Sequence, residues 1–411
     1  MKLLSIIWYI ASILILYLAI CLTKKYKFKQ LNLREIIISL KSKSKNNITP
    51  LASLCVSLAA KIGVGSLSGV ALAIYYGGVG TIFWIMIISL FVAINTYYEC
   101  ILGIKYRDTV NGMFVGGPSY YIKKCLGNKY LGFVYSVLLI ITYSILFLAI
   151  QTNTIISVTS YLSINNRVVI ILLVVLAIFI VLTGIKGVVK SNIIIVPLML
   201  IIYLGLGLYI FIDNYWLIPR IIMNVIYEAL KIKSIIPVFL IGMQRAIFIS
   251  ESSLGTSAIA AGSCDNTPNY QGLIEVVGIY ITIFVVCLTT FFIIVTSDYN
   301  LISYEYLNGI EIVIYAFKYH FGYLGEIFLS IITIIFALST IIASYFLGEN
   351  NIFIISKKKI LKIGFKIIFV LVVLFSSCLS ARIIWNITDY FVAILAIINV
   401  YSMLKIYLKD N

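Results

Sequence analysis

Apolar runs of about twenty residues, separated by short polar connections, fill most of this chain. A run of about that length crosses the hydrocarbon core of a bilayer as a helix. The pattern predicts about eleven spans, near 3–22, 51–75, 79–103, 131–157, 167–184, 191–213, 235–262, 271–297, 325–347, 364–383 and 386–407. Three stretches are too polar or amphipathic to span. Leu31–Lys45 is expected along the inner surface, and Leu217–Lys233 and Leu301–Phe321 along the outer one.

Two of the apolar segments are interrupted alike. The first reads Ala59-Ala60-Lys61-Ile62-Gly63-Val64-Gly65-Ser66, and the second runs from Gly242 through Arg245, Phe248, Ile249, Ser250 and Glu251 to Gly255. Backbone groups freed in hydrocarbon are costly, so such breaks survive only where protein or a cavity surrounds them. Setting aside the first span leaves ten, divided as five in 51–213 and five in 235–411. An odd number per repeat forces the two halves to run oppositely. The breaks then open each half, the arrangement of a transporter with its site at the midplane. Residues 1–50 are the additional helix with its surface segment, and 214–234 the outer connection.

Composition agrees with a polytopic membrane protein. Hydrophobic residues make up 62% and charged ones 11%, with mean hydropathy +1.10. The net charge of +16 does not point to nucleic acid, because the cations cluster beside apolar segments. Lys24, Lys25, Lys27, Lys29, Lys41, Lys43, Lys45, Lys357, Lys358 and Lys359 all fall on one side, and far fewer cations, Lys233 among them, fall on the other. The bias predicts an outside N-terminus and a cytoplasmic C-terminus. Abundant Ile, Asn and Lys suggest an AT-rich bacterial source, hence a bacterial plasma membrane. The seven cysteines are scattered and the sole histidine, His320, lies in a connection. No nucleophile–base pair or metal cluster is apparent, so neither an enzyme nor a cofactor is expected.

Several motifs resemble those of the alanine or glycine:cation symporter family, a branch of the leucine-transporter-like superfamily. They are GVGSLSGVALAI at 63–74, GGVGTIFW at 77–84, Glu99 before Lys105-Tyr106-Arg107, GGPSYYI at 116–122 and Gln151-Thr152-Asn153-Thr154-Ile155. Further matches are Gly184 to Gly187, Val196-Pro197-Leu198-Met199, Arg245 to Ala261, Phe336 to Thr340, Gly348-Glu349, and Trp385, Asp389 and Asn399. The chain departs from the family pattern at Val64 and Ser66, at Ile249-Ser250-Glu251-Ser252-Ser253, at Ala343-Ser344 and at Ile398. The resemblance implies an all-α fold with a five-plus-five inverted repeat after one extra helix. It also implies sodium-coupled import of a small neutral amino acid, alanine or glycine foremost. A proton-coupled carrier and a non-transporting sensor or partner-binding protein of the same fold are the alternatives.

A zwitterion needs amide donors for its carboxylate and carbonyl acceptors for its ammonium, which broken helices supply. Gly63, Val64, Gly65 and Ser66 are the candidates on the first segment, although Gly65 and Gly69 also form a helix-packing pair. Phe248, Ile249 and Ser250 are the candidates on the second. Gln151, with both donors and an acceptor, is the candidate reader on the fourth span, or an ordinary interhelical bond. By resemblance, the hydroxyls of Ser339 and Thr340 and the carbonyl of Phe336 meet the carbonyls of Ala59 and Ile62 around sodium. Lys61, Arg245 and Glu251 are candidate gating or structural charges, with Lys61 expected to face the inner vestibule. Glu99, Glu349 and Asp389 are expected near span ends as anchors or partners of cations. Substrate, sodium and lipid are the partners; oligomeric state is not legible.

Overall fold

The computed structural model describes residues 2–42, 48–110, 112–232, 234–297, 309–356 and 358–410. Lys43, Lys45, Lys233 and Lys357, and the 301–308 start of the second outer stretch, lie outside the described residues. The chain opens with α1 (Lys2–Tyr26) and the short α2 (Leu33–Leu40). Then come α3 (Pro50–Lys61), α4 (Val64–Gly77), α5 (Thr81–Lys105), a hairpin of β1 (Asp108–Val110) and β2 (Met113–Val115), and α6 (Pro118–Cys125). The helices α7 (Lys129–Ile141) and α8 (Leu148–Tyr161) form one span through a π-helical turn, Thr142–Phe147. Next are α9 (Asn166–Asp213), α10 (Ile218–Leu230), α11 (Ile235–Ser250) and α12 (Thr256–Gly262). A second π-helical turn, Ile281–Cys287, joins α13 (Pro268–Tyr280) to α14 (Leu288–Val295). The remainder is α15 (Gly309–Phe321), α16 (Tyr323–Ile355), α17 (Lys359–Phe375) and α18 (Ala381–Lys409).

Among the described residues, nine helical stretches are long and apolar enough to cross a membrane, and two bent pairs raise the number to 11. The sequence pattern predicts the same total, but the second bent pair joins Tyr215–Leu230 to Ile235–Ser250, where the pattern predicts an outer connection followed by a span over 235–262. The predicted connection between the fifth and sixth spans is tighter than expected. Gly184, at φ 63, turns the chain sharply inside α9 without a separate loop, a left-handed conformation open to glycine at little cost.

Amphipathicity accounts for the surface elements. The helix α10 exposes Ile222, Met223, Ile226 and Tyr227 while burying Ala229, as a helix in the bilayer interface would. Its Glu228 Oε2 accepts from the Gly80 amide at 3.3 Å, and the Trp84 indole donates to the Ala229 carbonyl at 3.1 Å. The first bond satisfies an amide at the start of α5, and the second a free carbonyl at the end of α10. The extra helix α1 packs on α18 and α5, and Asn95 Nδ2 on α5 donates to the Ile15 carbonyl at 3.1 Å.

The two interrupted segments are the structural exceptions. The pair α3–α4 bends by 42° across Ile62-Gly63. The helices α11 and α12 are separated by residues 251–255, where Glu251 (φ 52), Ser253 (φ 69) and Gly255 (φ 82) are all left-handed. Both breaks are buried, as unpaired backbone in hydrocarbon requires.

Candidate functional site

The first break exists because Gly63 allows it. The backbone at Gly63 is extended (φ −122, ψ −157) and restarts the helix at Val64. A Cβ at Gly63 would run into the Thr340 hydroxyl and lie 3.3 Å from Gln151 Nε2. Those two side chains therefore close directly onto the break. Thr340 Oγ1, on α16, stands 2.7 Å from the Ala59 carbonyl and 3.1 Å from that of Phe336. Gln151 Oε1, on α8, accepts from the Val64 amide at 3.2 Å. The Ser66 hydroxyl donates to the Gly63 carbonyl at 2.8 Å.

Of the five sodium candidates, Ala59, Phe336 and Thr340 are joined directly by these oxygen contacts. Ile62 is buried at the break itself. Ser339 is placed differently. Its hydroxyl bonds the Phe336 carbonyl at 2.8 Å and lies 3.6 Å from Met199 Sδ, an ordinary back-bonding geometry.

The second segment corrects an expectation. Phe248, Ile249 and Ser250 form the last turn of α11, still helical, and the break begins only at Glu251. No glycine occurs between Gly242 and Gly255, so the unwinding falls at the run of Ser252, Ser253 and Gly255. Phe248 nevertheless meets the first break: a Cβ at Gly65 would lie 3.3 Å from its ring. Ile249 packs similarly over Gly69. The Phe248 ring stacks on Phe147 at 5.2 Å and on Trp385 at 5.3 Å between centroids. Ser250 accepts from the Ser252 amide at 3.2 Å, so its hydroxyl supports the turn. Apart from the half-buried Gly65, these candidates are all buried.

Among the charges, Lys61 and Glu99 are placed differently from expectation, whereas Asp389 is the partner of a cation. Arg245 pairs with Asp389 of α18 at 3.1 Å, with only 7% and 6% of their side chains exposed. The guanidinium lies 5.5 Å from the centroid of Phe248, so an ion pair and an aromatic stack sit together at this end of the site. Lys61 does not face a vestibule. It is 2% exposed, and its ammonium is held by Ser57 and, at 2.8 Å, by Ser257 of α12. Buried there, the ammonium is satisfied by those hydroxyls. Glu99 is no interfacial anchor. It is fully buried, accepting from the Gly255 amide at 3.2 Å and from Asn399 Nδ2 at 3.1 Å. Glu251 is buried at the second break, and Glu349 is partly buried on α16.

Several supporting residues escaped the sequence reading. Asn95 Nδ2 and Thr96 Oγ1 on α5 bond Ser253 Oγ at 3.1 Å and Ser252 Oγ at 2.9 Å. Asn399 Nδ2 also bonds the Ser253 carbonyl at 2.9 Å, and the Tyr121 hydroxyl bonds Asn399. The signal was present as polar residues Ser89, Asn95, Thr96 and Glu99 within one long apolar helix.

A profile described as the sodium:alanine symporter family matches residues 2–409. The chain belongs to that family. The amino-acid carrier protein AlsT of Bacillus subtilis (strain 168) is 31% identical over 370 residues, covering 88% of this chain and 79% of the relative. The probable sodium/glutamine symporter GlnT of the same organism is 30% identical over 407 residues, covering 95% and 84%. Among solved structures, the transporter MhsT in complex with L-phenylalanine superposes with a TM-score of 0.56 at 12% identity, over 90% of this chain and 100% of that one. That likeness shows the leucine-transporter-like fold, an inverted repeat preceded here by one extra helix. This chain is thus a multi-pass membrane member of a transporter family.

Proposed function

We propose that the protein imports a small neutral amino acid, alanine or glycine foremost, by sodium-coupled alternating access. The observation that carries this reading is the Thr340 hydroxyl, 2.7 Å from the Ala59 carbonyl and 3.1 Å from that of Phe336. It ties α16 to the open carbonyl end of α3, where oxygens suited to a hard cation collect. Sodium at Ala59, Ile62, Phe336 and Thr340, with Ser339 rotating to join, would hold the first broken helix against α16.

Substrate would bind on the other side of the break. The Val64 amide, now bonded to Gln151, is the donor for a carboxylate, and Gln151 gives way to it or reads it. Phe248 closes over Gly65 and would wall the substrate side chain. The Arg245–Asp389 pair with Phe248 and Trp385 forms the gate on the outer side. The 430 Å³ cavity lined by Thr49, Ala52, Phe114 and Ser263 is the cytoplasmic vestibule, given an outside N-terminus and opposed repeats in 51–213 and 235–411. The setting is a bacterial plasma membrane.

Reconstituted Thr340→Ala is expected to lose sodium-stimulated uptake while still eluting as a folded species. Unchanged sodium dependence in that variant would remove the coupling model.

A further inference from the structure

The second break encloses ionisable groups that the reading above does not use. Lys61 lies within electrostatic range of three carboxyls, Glu99, Glu251 and Glu275. All three are at most 1% exposed. Three buried carboxyls thus share one buried ammonium, and a charge on any of them needs a partner at that depth.

Two of these carboxyls have donors. Glu99 Oε2 accepts from the Gly255 amide and Asn399 Nδ2. Glu275 Oε1 accepts from Ser53 Oγ at 3.0 Å and from Gln271 Nε2 at 3.2 Å. Among the described residues, Glu251 has no donor at full hydrogen-bonding geometry on either oxygen. The hydroxyls of Tyr143 and Thr256 face its carboxyl, yet neither closes to hydrogen-bonding geometry, and both are without partners themselves. Tyr143, Glu251 and Thr256 are each 1% exposed. Four buried oxygens thus converge, and among the described residues no donor from outside the group bonds them.

The local backbone favours positive charge at this point. Glu251 ends the sixteen-residue helix α11 in a left-handed conformation, and a helix C-terminus presents free carbonyls and partial negative charge. Tyr143 is carried by the π-helical turn of the α7–α8 span, a distortion that recurs at functional sites. Lys61 does not supply the missing charge by contact, because Ser57 and Ser257 hold its ammonium. Tyr135 and Glu99 are the other titratable groups near Tyr143. No group of three or more His, Cys, Asp or Glu that could hold a metal occurs among the described residues, which disfavours a divalent or transition metal. One carboxylate, two hydroxyls and carbonyls suit a hard monovalent ion.

We propose that Glu251, Tyr143 and Thr256, with carbonyls at the end of α11, bind a sodium ion at a site separate from the one around Thr340. The inference deepens the sodium-coupled reading and rests on it for its role in transport, though the binding itself does not. An ion here would neutralise the second break as the Thr340 site neutralises the first.

The test is equilibrium binding of radioactive sodium to the purified full chain in a sodium-free organic-cation buffer. Wild type is expected to bind about two ions, and Glu251→Gln and Thr340→Ala about one each. Tyr143→Phe and Thr256→Val should each weaken the Glu251 site by about tenfold. Full wild-type binding by Glu251→Gln overturns the proposal whatever Thr340→Ala does. Such binding accompanied by altered proton release would assign a proton to Glu251 instead, and also overturns it. A loss in Glu251→Gln with none in Thr340→Ala supports this site and removes the other. Should Glu251→Gln fail to elute as a single species, the hydroxyl variants decide: unchanged affinity in both overturns the proposal.

Discussion

At the scale of single residues, Gly63 and Thr340 make the first break. Gly63→Ala would drive a methyl group into the Thr340 hydroxyl and should abolish transport, with uptake in proteoliposomes as the check. Gln151→Leu would leave the Val64 amide without its present partner. An orphaned buried donor costs about 1–3 kcal/mol, so thermal stability in detergent should fall unless substrate is present to replace the bond. A melting curve in which alanine restores wild-type stability would tie that amide to substrate carboxylate. Gly63 and Gln151 stood out in the sequence, because glycine and amide side chains are anomalous in apolar helices, and Val64 was marked only by its place between two glycines. The direction of Lys61 was not. A lysine at a helix break reads as reaching for water, and only the fold shows Ser57 and Ser257 waiting for it.

Among elements, the long helices bring buried polar groups to the breaks. Asn399 on α18 joins Glu99 on α5 to the Ser253 carbonyl. Asn399→Leu removes both bonds and leaves Glu99 with the Gly255 amide alone, which should cost about 1–3 kcal/mol and show as a lower melting temperature. The Arg245–Asp389 pair links α11 to α18. Replacing Asp389 alone with Asn leaves a buried guanidinium without its counter-charge, destabilising by about 3–5 kcal/mol. Replacing both partners with apolar residues of similar volume should be far milder, and the same melting assay separates the two outcomes. Element boundaries were legible where apolar runs end in charge. The start of the second break was not, because the propensity of Phe248-Ile249-Ser250 does not say whether the helix ends before or after them. The three left-handed residues Glu251, Ser253 and Gly255 settle it in the fold.

For the whole molecule, hydropathy yielded the spans, since bilayer thickness imposes one length scale on every crossing, and the division of the spans with the family motifs yielded the fold class. The pairing between repeats required the three-dimensional arrangement: contacts such as Thr340 to Ala59 and Asn399 to Glu99 join residues hundreds of positions apart, and no local pattern encodes them. The central claim is that an inward sodium gradient drives a small neutral amino acid through this path. The most direct measurement is uptake of labelled alanine and glycine, with glutamine as a comparison, into proteoliposomes holding the purified chain. Accumulation of alanine or glycine above equilibrium only with sodium outside is the result the account predicts. Uptake that is indifferent to sodium, or absent from protein shown to be folded and correctly inserted, would contradict it.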